Sequence, residues 1–286
     1  MIMAHSVSHK IPVSVIVATR NEQDAIGTCL SALERFDEIV VVDSESTDQT
    51  ATLSERFGAR VVSFVWNGRH PKKRQWCLDT LTLRQNWIFF VDADEIVPPA
   101  LSDEIAALFT PGPPPRKAYF VDGTYVWHGK PLRHGLRNAK ITLFDRRCLM
   151  FPVVDDLDFP GMGEMEGHYQ PVPKAPGGAR IGHLRTPLLH HACPDRAAWD
   201  ARHARYALWE AHMSVHNAWP ADPIPARNRL KLLFRALPCR DAMAFIHSFV
   251  WKKGFLDGIA GLDFALARAA YYRAIARQIR RLRKAQ

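Results

Sequence analysis

Over its first hundred residues the chain alternates β-branched apolar runs with segments of helical periodicity, and that alternation leaves few folds open. Residues 13–19, 38–43, 60–65 and 87–92 read as strands, and residues 24–33, 48–57 and 71–81 carry helix-spaced apolar side chains between them. Thr47 or Asp48 is placed to cap the second helix. Strand and helix in strict alternation predict a parallel, doubly wound sheet with right-handed crossovers, which binds ligands at the carboxyl ends of its strands.

Three strand exits therefore meet on one rim: Thr19-Arg-Asn-Glu22, Asp43-Ser-Glu-Ser-Thr-Asp48 and Asp92-Ala-Asp94. Side chains at i and i+2 of a strand share a face, so Asp92 and Asp94 aim at one point where the fourth strand leaves the sheet. Two like charges held that close call for a cation. Mg2+ or Mn2+ takes one or two carboxylates and fills its other positions with water and phosphate oxygens, which makes a nucleoside diphosphate the natural partner. The chain has no GxGxxG or GxxxxGK glycine loop. A diphosphate would have to be held by metal and side chains, which argues against a dinucleotide oxidoreductase or a P-loop enzyme.

Composition narrows the class further. With 286 residues, 47% hydrophobic and 23% charged, the chain is long enough to bury a sizeable core and has no bias toward disorder. Its five cysteines are scattered without paired spacing, which fits a reducing compartment and neither a disulfide framework nor a zinc site. The run at 13–19 leads straight into Arg20-Asn-Glu22 and reads as a strand, not a secretion signal. No apolar stretch reaches bilayer length.

Beyond a proline-rich break at 111–115, residues 118–127 and 141–144 read as strands joined by a basic, histidine-containing loop. A glycine-rich acidic stretch at 155–168 is too irregular for a regular element, and long irregular loops of this kind are usually functional. Residues 184–190 read as a strand and 195–216 as a helix with the stripe Trp199, Tyr206, Trp209 and Met213. The last 60 residues read as helices with basic flanks, and the net charge of +9 is concentrated there: Arg273, Arg277, Arg280, Arg281, Arg283 and Lys284 follow one another with no acid between them. Phe245, Phe249, Trp251, Phe255 and Leu256 beside Lys252 and Lys253 suit either an interfacial helix on anionic lipid or an ordinary packing helix with a solvated tail. The acid-lined strand exits speak against nucleic acid as partner.

The strings Val15-Ile-Val-Ala-Thr-Arg-Asn-Glu22, Asp37-Glu-Ile-Val-Val-Val-Asp-Ser-Glu-Ser-Thr-Asp48, Phe57-Gly-Ala-Arg-Val61 and Phe90-Val-Asp-Ala-Asp-Glu95 resemble family 2 glycosyltransferases of the GT-A fold, most closely bacterial lipopolysaccharide-core and capsule glucosyltransferase-like members. Weaker similarity continues through Leu143-Phe-Asp-Arg-Arg147, Pro187-Leu-Leu-His190 and Lys253-Gly-Phe-Leu-Asp-Gly258. The resemblance implies an α/β GT-A domain over 11–193, its nucleotide-sugar half at 11–110 and its acceptor half at 116–193, followed by a basic helical extension at 194–286. It implies an inverting transfer of a hexose, glucose foremost, from a UDP-sugar to a glycan or lipid-linked acceptor of the bacterial surface, in the cytoplasm or on the inner face of the inner membrane.

Site residues follow from the same resemblance. Thr19, Asn21, Glu22 and Asp43 face the nucleoside, Arg74 and Asp92 complete the donor site, and Asp92, Asp94 and His190 hold Mg2+ or Mn2+. Glu166 is the first candidate for the base that deprotonates the acceptor, with Glu164 second, although the order Glu166-Gly-His168 departs from the family's more common His-Glu ending. Asp155, Asp156 and Asp158 are further carboxylates in the same stretch, and Trp127 and Tyr169 are candidate sugar platforms. A sugar nucleotidyltransferase would need a Gly-rich basic loop after the first strand, and Thr19-Arg-Asn-Glu22 is not one. A non-catalytic membrane-binding module would draw on the basic tail alone.

Overall fold

The structure, a computed structural model, describes residues 10–110, 112–156, 169–175, 179–192, 195–220 and 222–285. Glu164, Glu166, His168, Asp158 and Cys193 lie outside the described residues.

The expected opening units are present. β1 (Ile11–Thr19), β2 (Phe36–Asp43), β3 (Arg60–Ser63) and β4 (Trp87–Asp92) pair in parallel, in the order β3-β2-β1-β4. They alternate with α1 (Ile26–Ser31), α2 (Thr50–Arg56) and α3 (Lys73–Thr80). All three helices are shorter than periodicity predicts. α1 begins only after the Glu22–Ala25 turn, whose residues are tied to the 46–50 turn opposite.

β1 is central and covered on both faces, so its apolar run is nearly continuous. The two-residue period sorts that run into two cores. Val13, Val15 and Val17 join Phe89 and Val91 of β4 against Ile26, Leu30, Leu101 and Ile105, while Ile16 joins Ile88 and Phe90 on the opposite face, with Val40, Phe144 and Trp209.

After β4 the sheet changes character. β5 (Glu95–Ile96) and α4 (Pro99–Phe109, with proline in its first turn) follow, then β6 (Ala118–Trp127), β7 (Lys130–Pro131) and β8 (Asn138–Asp145). β8 lies antiparallel to both β4 and β6, so the sheet is mostly parallel in its first half and mixed in its second. β9 (Leu149–Met150) and β10 (Val172–Pro173) form a separate two-stranded ribbon. Of the strand expected at 184–190 only β12 (Leu188–His190) forms, and β11 (Ile181–His183), which was not expected, precedes it along the same edge of β6. β12 also pairs antiparallel with β5, which sets His190 opposite Glu95.

The C-terminal third is helical: α5 (Arg196–Val215), α6 (Pro225–Ala236), α7 (Arg240–Phe245), a π-helical turn at Ile246–Trp251, a 3-10 turn at Gly254–Asp257 and α8 (Gly258–Ala285). Asp195 caps α5 by accepting from the Ala198 amide at 2.8 Å. The basic tail is not a loose end but the last turns of α8. Tyr271 and Ile275 are buried against Ala207 of α5, on either side of Arg273, the first residue of the basic run.

The segment Lys253-Gly-Phe-Leu-Asp-Gly258 acts as a clasp. Lys253 and Gly258 take left-handed φ values of 59° and 64°, and a Cβ on Gly261 would overlap the Gly254 carbonyl, so the turn crosses the start of α8 in direct contact. Asp257 accepts from the amides of Arg133 and His134 at 3.1 and 2.8 Å, holding the 133–137 loop.

Trp127, a candidate sugar platform, is 3% exposed and packs on Trp199 and Phe264 while donating Nε1–H to Asp263 at 2.9 Å. Its position is in the core. Asp156 is also enclosed: its carboxylate lies 2.7 Å from the Lys72 ammonium and accepts from Trp209 Nε1 at 3.0 Å. This pair joins the approach to α3, the segment after the ribbon strand β9, and α5. Breaking a buried pair by removing one partner typically costs about 3–5 kcal/mol, because the remaining charge stays desolvated. Lys72→Met is therefore expected to lower unfolding stability by about that much in denaturant titrations, and a loss below ~1 kcal/mol would reduce the pair to the rank of a surface bridge.

Candidate active site

Register delivers the acidic rim. Thr19 lies opposite Asp43 and Ala18 opposite Asp92, so the three exits sit side by side. They open on a cleft of about 1180 Å³ whose walls include Thr19, Glu22, Arg74, Asp92, Asp94 and His190. The helices of the C-terminal third form its far wall, through α5, α6 and α8.

The β1 and β2 exits are locked to each other. Asn21, in a left-handed conformation with φ 55°, donates its amide to Ser46 Oγ and accepts from the Thr47 amide, both at 2.8 Å. Asp43 accepts from the Ser46 amide at 2.9 Å with one oxygen and from the Ser46 hydroxyl with the other. These two residues shape the rim's backbone, whereas Thr19 and Glu22 face the cleft. Thr19 Oγ1 is buried and has no hydrogen-bond partner among the described residues. Burial, followed by repulsion from Asp94, pushes the Glu22 carboxyl up to about 7.

Asp92 and Asp94 meet different cations. Asp92 Oδ1 accepts from Arg74 Nη2 at 2.9 Å and Oδ2 from Lys140 Nζ at 2.8 Å, and Lys140 also bridges to the buried Glu95 at 3.0 Å. Burial opposes the charged form of Asp92, but Lys140 and then Arg74 outweigh it and hold the carboxyl well below its usual range. Burial likewise disfavours the Lys140 ammonium, and Asp92 and Glu95 more than reverse that, keeping it protonated. Asp94 has His190 Nε2 at 3.5 Å and Arg202 Nη1 at 3.6 Å. Burial raises its pKa, and the hydrogen bond and charge of His190 together with Lys140 outweigh that, leaving it lowered.

His190 is positioned by two strands at once, through the β5 pairing and by stacking on Tyr125 of β6 at 5.3 Å. Its Nδ1 is buried without a partner among the described residues.

These residues fit a divalent ion. Asp94 and His190 present one carboxylate and one imidazole side by side, suited to an ion that keeps water and phosphate oxygens as its other ligands. Among the described residues no three His, Cys, Asp or Glu side chains gather into an all-protein cage. Asp92, with both oxygens held by cations, fits better as the group that positions Arg74 and Lys140.

Lys140, Arg202 and Glu95 are the site residues that sequence reading overlooked. Lys140 carried a signal, as a lone cation ahead of the apolar run Ile141–Phe144 of β8, and Arg202 another, lying on α5 between Trp199 and Tyr206 of the apolar stripe.

The family model for glycosyl transferase family 2 matches residues 14–156, half of the chain, and takes in every one of these strand exits. The chain belongs to glycosyl transferase family 2. Similar proteins include the glycosyltransferase RC0292 of Rickettsia conorii, 35% identical over 108 residues that make up 37% of this chain and 36% of that one. The lipopolysaccharide core biosynthesis glycosyltransferase LpsC of Rhizobium meliloti is 36% identical over 104 residues, 35% of this chain and 37% of LpsC. The chain thus spans little more than a third of the length of these relatives. Among solved structures, S. aureus TarS 1-349 aligns over 96% of this chain and 92% of its own at 16% identity and a TM-score of 0.46. Glucosyl-3-phosphoglycerate synthase from Mycobacterium tuberculosis aligns over 70% and 77%, at 18% identity and a TM-score of 0.40.

Glu22 gives this rim a pH signature. A carboxyl raised from 4.5 to about 7 penalises the folded state where it must ionise: the cost is absent below 4.5, grows through that window and is complete above 7. Glu22→Gln is therefore expected to raise the thermal midpoint at pH 8 in metal-free buffer and to leave it nearly unchanged at pH 4. Equal shifts at both pH values would refute the assignment.

Proposed function

We propose that this chain is an inverting, divalent-metal-dependent glycosyltransferase that moves a hexose, glucose foremost, from a UDP-sugar to a cell-surface glycan or lipid-linked acceptor in lipopolysaccharide or polysaccharide biosynthesis. The observation that carries this reading is the placement of Asp92 and Asp94 at the rim of one large cleft, with Arg74, Lys140, Arg202 and His190 around them. Membership of glycosyl transferase family 2 and similarity to LpsC support it.

In this mechanism Asp94 and His190 would hold Mg2+ or Mn2+, and the ion would supply positive charge to a leaving diphosphate. Arg74 and Lys140, held at the rim by Asp92, supply fixed positive charge to the same cleft, in a site where preorganised charge counts for more than in water. Thr19 and Glu22 line the nucleoside side, and Asn21 and Asp43 hold the two turns that bound it. An acceptor hydroxyl attacks the anomeric carbon from the face opposite the diphosphate. The new C–O bond forms as the bond to the β-phosphate oxygen breaks, UDP departs and the configuration inverts. Glu166 takes the hydroxyl proton, with Glu164 the alternative base. Tyr169 and Gln170 line the acceptor half of the same cleft.

We assign residues 11–193 to the GT-A domain, 11–110 as its nucleotide-sugar half and 116–193 as its acceptor half, and 194–286 to a helical extension. Its location follows from surface chemistry. Among the described residues no helix is long and apolar enough to cross a membrane. Between α7 and the first turn of α8, however, Val250, Trp251, Phe255, Leu256 and Ile259 are all exposed, Trp251 at 75% and Ile259 at 87%, with Lys252 and Lys253 among them. Apolar side chains flanked by lysines suit the headgroup zone of an anionic bilayer and favour attachment to the inner face of the membrane, where a lipid-linked acceptor is presented.

Three measurements test these readings. Wild-type protein should bind UDP in a Mn2+-dependent way by calorimetry, Asp94→Asn should lose that dependence, and Glu166→Gln should keep UDP binding while transfer falls by about 10²- to 10⁴-fold; metal-independent UDP affinity in the wild type would remove the metal site. Trp251→Ser with Ile259→Ser should reduce co-sedimentation with phosphatidylglycerol vesicles, and unchanged sedimentation would return this surface to ordinary solvent exposure.

A further inference from the structure

The cleft has a second charged end that donor chemistry does not use. α5 runs along its wall from Arg202, beside Asp94, to Glu210, and eight residues of helix place those two points about 12 Å apart. Around Glu210 the lining carries Arg235 of α6, Arg240 at the start of α7 and Arg268 of α8. Lys231 and Arg227 nearby share the buried Asp222 as counter-charge, at 2.6 and 3.2 Å. The three arginines are still less compensated. Glu210 is the one carboxylate lining this end; it accepts from Tyr271 Oη at 2.6 Å and lies 3.6 Å from Arg240. Three guanidiniums against one carboxylate leave two positive charges in excess among the described residues.

Arg240 is buried, and Arg235 and Arg268 are half-buried. Arg240 is 6% exposed, and its Nε and that of Arg268 are enclosed without a hydrogen-bond partner among the described residues. Each guanidinium rests on an aromatic face: Arg235 on Trp219 at 3.7 Å, Arg240 on Phe234 at 5.4 Å and on Tyr272 at 5.2 Å, and Arg268 on the same Tyr272 at 5.5 Å. Stacking fixes the plane of a guanidinium and leaves its N–H edge for acceptors in that plane, the geometry in which arginine grips phosphate. Aromatic packing alone accounts for one such arginine. It does not account for like charges gathered around a shared ring with so little counter-charge, because desolvated charge without a partner opposes folding.

We propose that Arg235, Arg240 and Arg268 bind a phosphate group carried by the acceptor, so that this enzyme glycosylates a phosphorylated glycan or lipid and reads that phosphate at the end of the cleft remote from Asp94. The inference rests on the glycosyltransferase reading of the cleft, and the test keeps the two apart. The two sources of a phosphate signal are the donor's own diphosphate and a separate anion, so the full chain is first saturated with UDP and Mg2+ and then titrated with inorganic phosphate by calorimetry.

Phosphate should bind with UDP already present. Arg240→Gln with Arg268→Gln should weaken that binding at least tenfold while leaving UDP affinity unchanged, and Arg235→Ala, at a less buried position, should weaken it in a variant whose fold is checked by circular dichroism. Phosphate that merely displaces UDP, binds the variants as tightly as the wild type, or does not bind at all overturns the proposal. If UDP fails to bind but phosphate binding persists and depends on Arg240, the anion site stands and the donor reading falls.

Discussion

Everything at the rim depends on β4 having a parallel neighbour on one side and an antiparallel neighbour on the other. The parallel neighbour, β1, brings the carboxyl ends of three strands level, so that the acidic exits converge. The antiparallel neighbour, β8, runs the opposite way and presents its beginning where β4 ends. Its pairing sets Trp87 opposite Asp145 and Phe89 opposite Leu143, and the same register carried to the end of β4 sets Asp92 opposite Lys140. The 2.8 Å contact between them is thus a product of strand direction. Without it Asp92, Asp94 and Glu95 would face one another with far less counter-charge, in a setting where like charges are hard to keep ionised.

The same logic places His190. β12 is three residues long, yet it is gripped between β6 and β5, and β5 follows directly on the acidic pair. A histidine that lies almost a hundred residues further along the chain is thereby set beside Asp94, with Tyr125 stacked against it. Two short strands accomplish what a long loop would do with less certainty.

What could be read from the sequence follows from the range of the interactions. The four parallel strands, the acidic exits and the α5 helix depend on local period and local turns, and they are found within a few residues of where composition puts them. α1 is shorter because Asn21, Glu22 and Gln23 are tied to Ser46, Thr50 and Asp48, a constraint reaching across some 25 residues of sequence. The antiparallel turn of the sheet, and with it Lys140, depends on pairing between segments about fifty residues apart, for which no periodicity gives a sign. Arg202 and the arginines beyond it were hidden for a further reason. In sequence the C-terminal helices read as an appendage with a basic tail, whereas in space they supply one wall of the cleft.

That wall has a mechanical consequence. Arg202 and Glu210 hang from one uninterrupted helix, capped at its start by Asp195 and clamped along its length by Phe264, Tyr271 and Ile275 of α8. A rod held in this way cannot stretch to suit a longer molecule or shorten for a smaller one. The two ends of the cleft are therefore geared together, and a substitution that tilts the rod at Trp199 or Ala207 displaces both, although neither side chain need touch what is bound there.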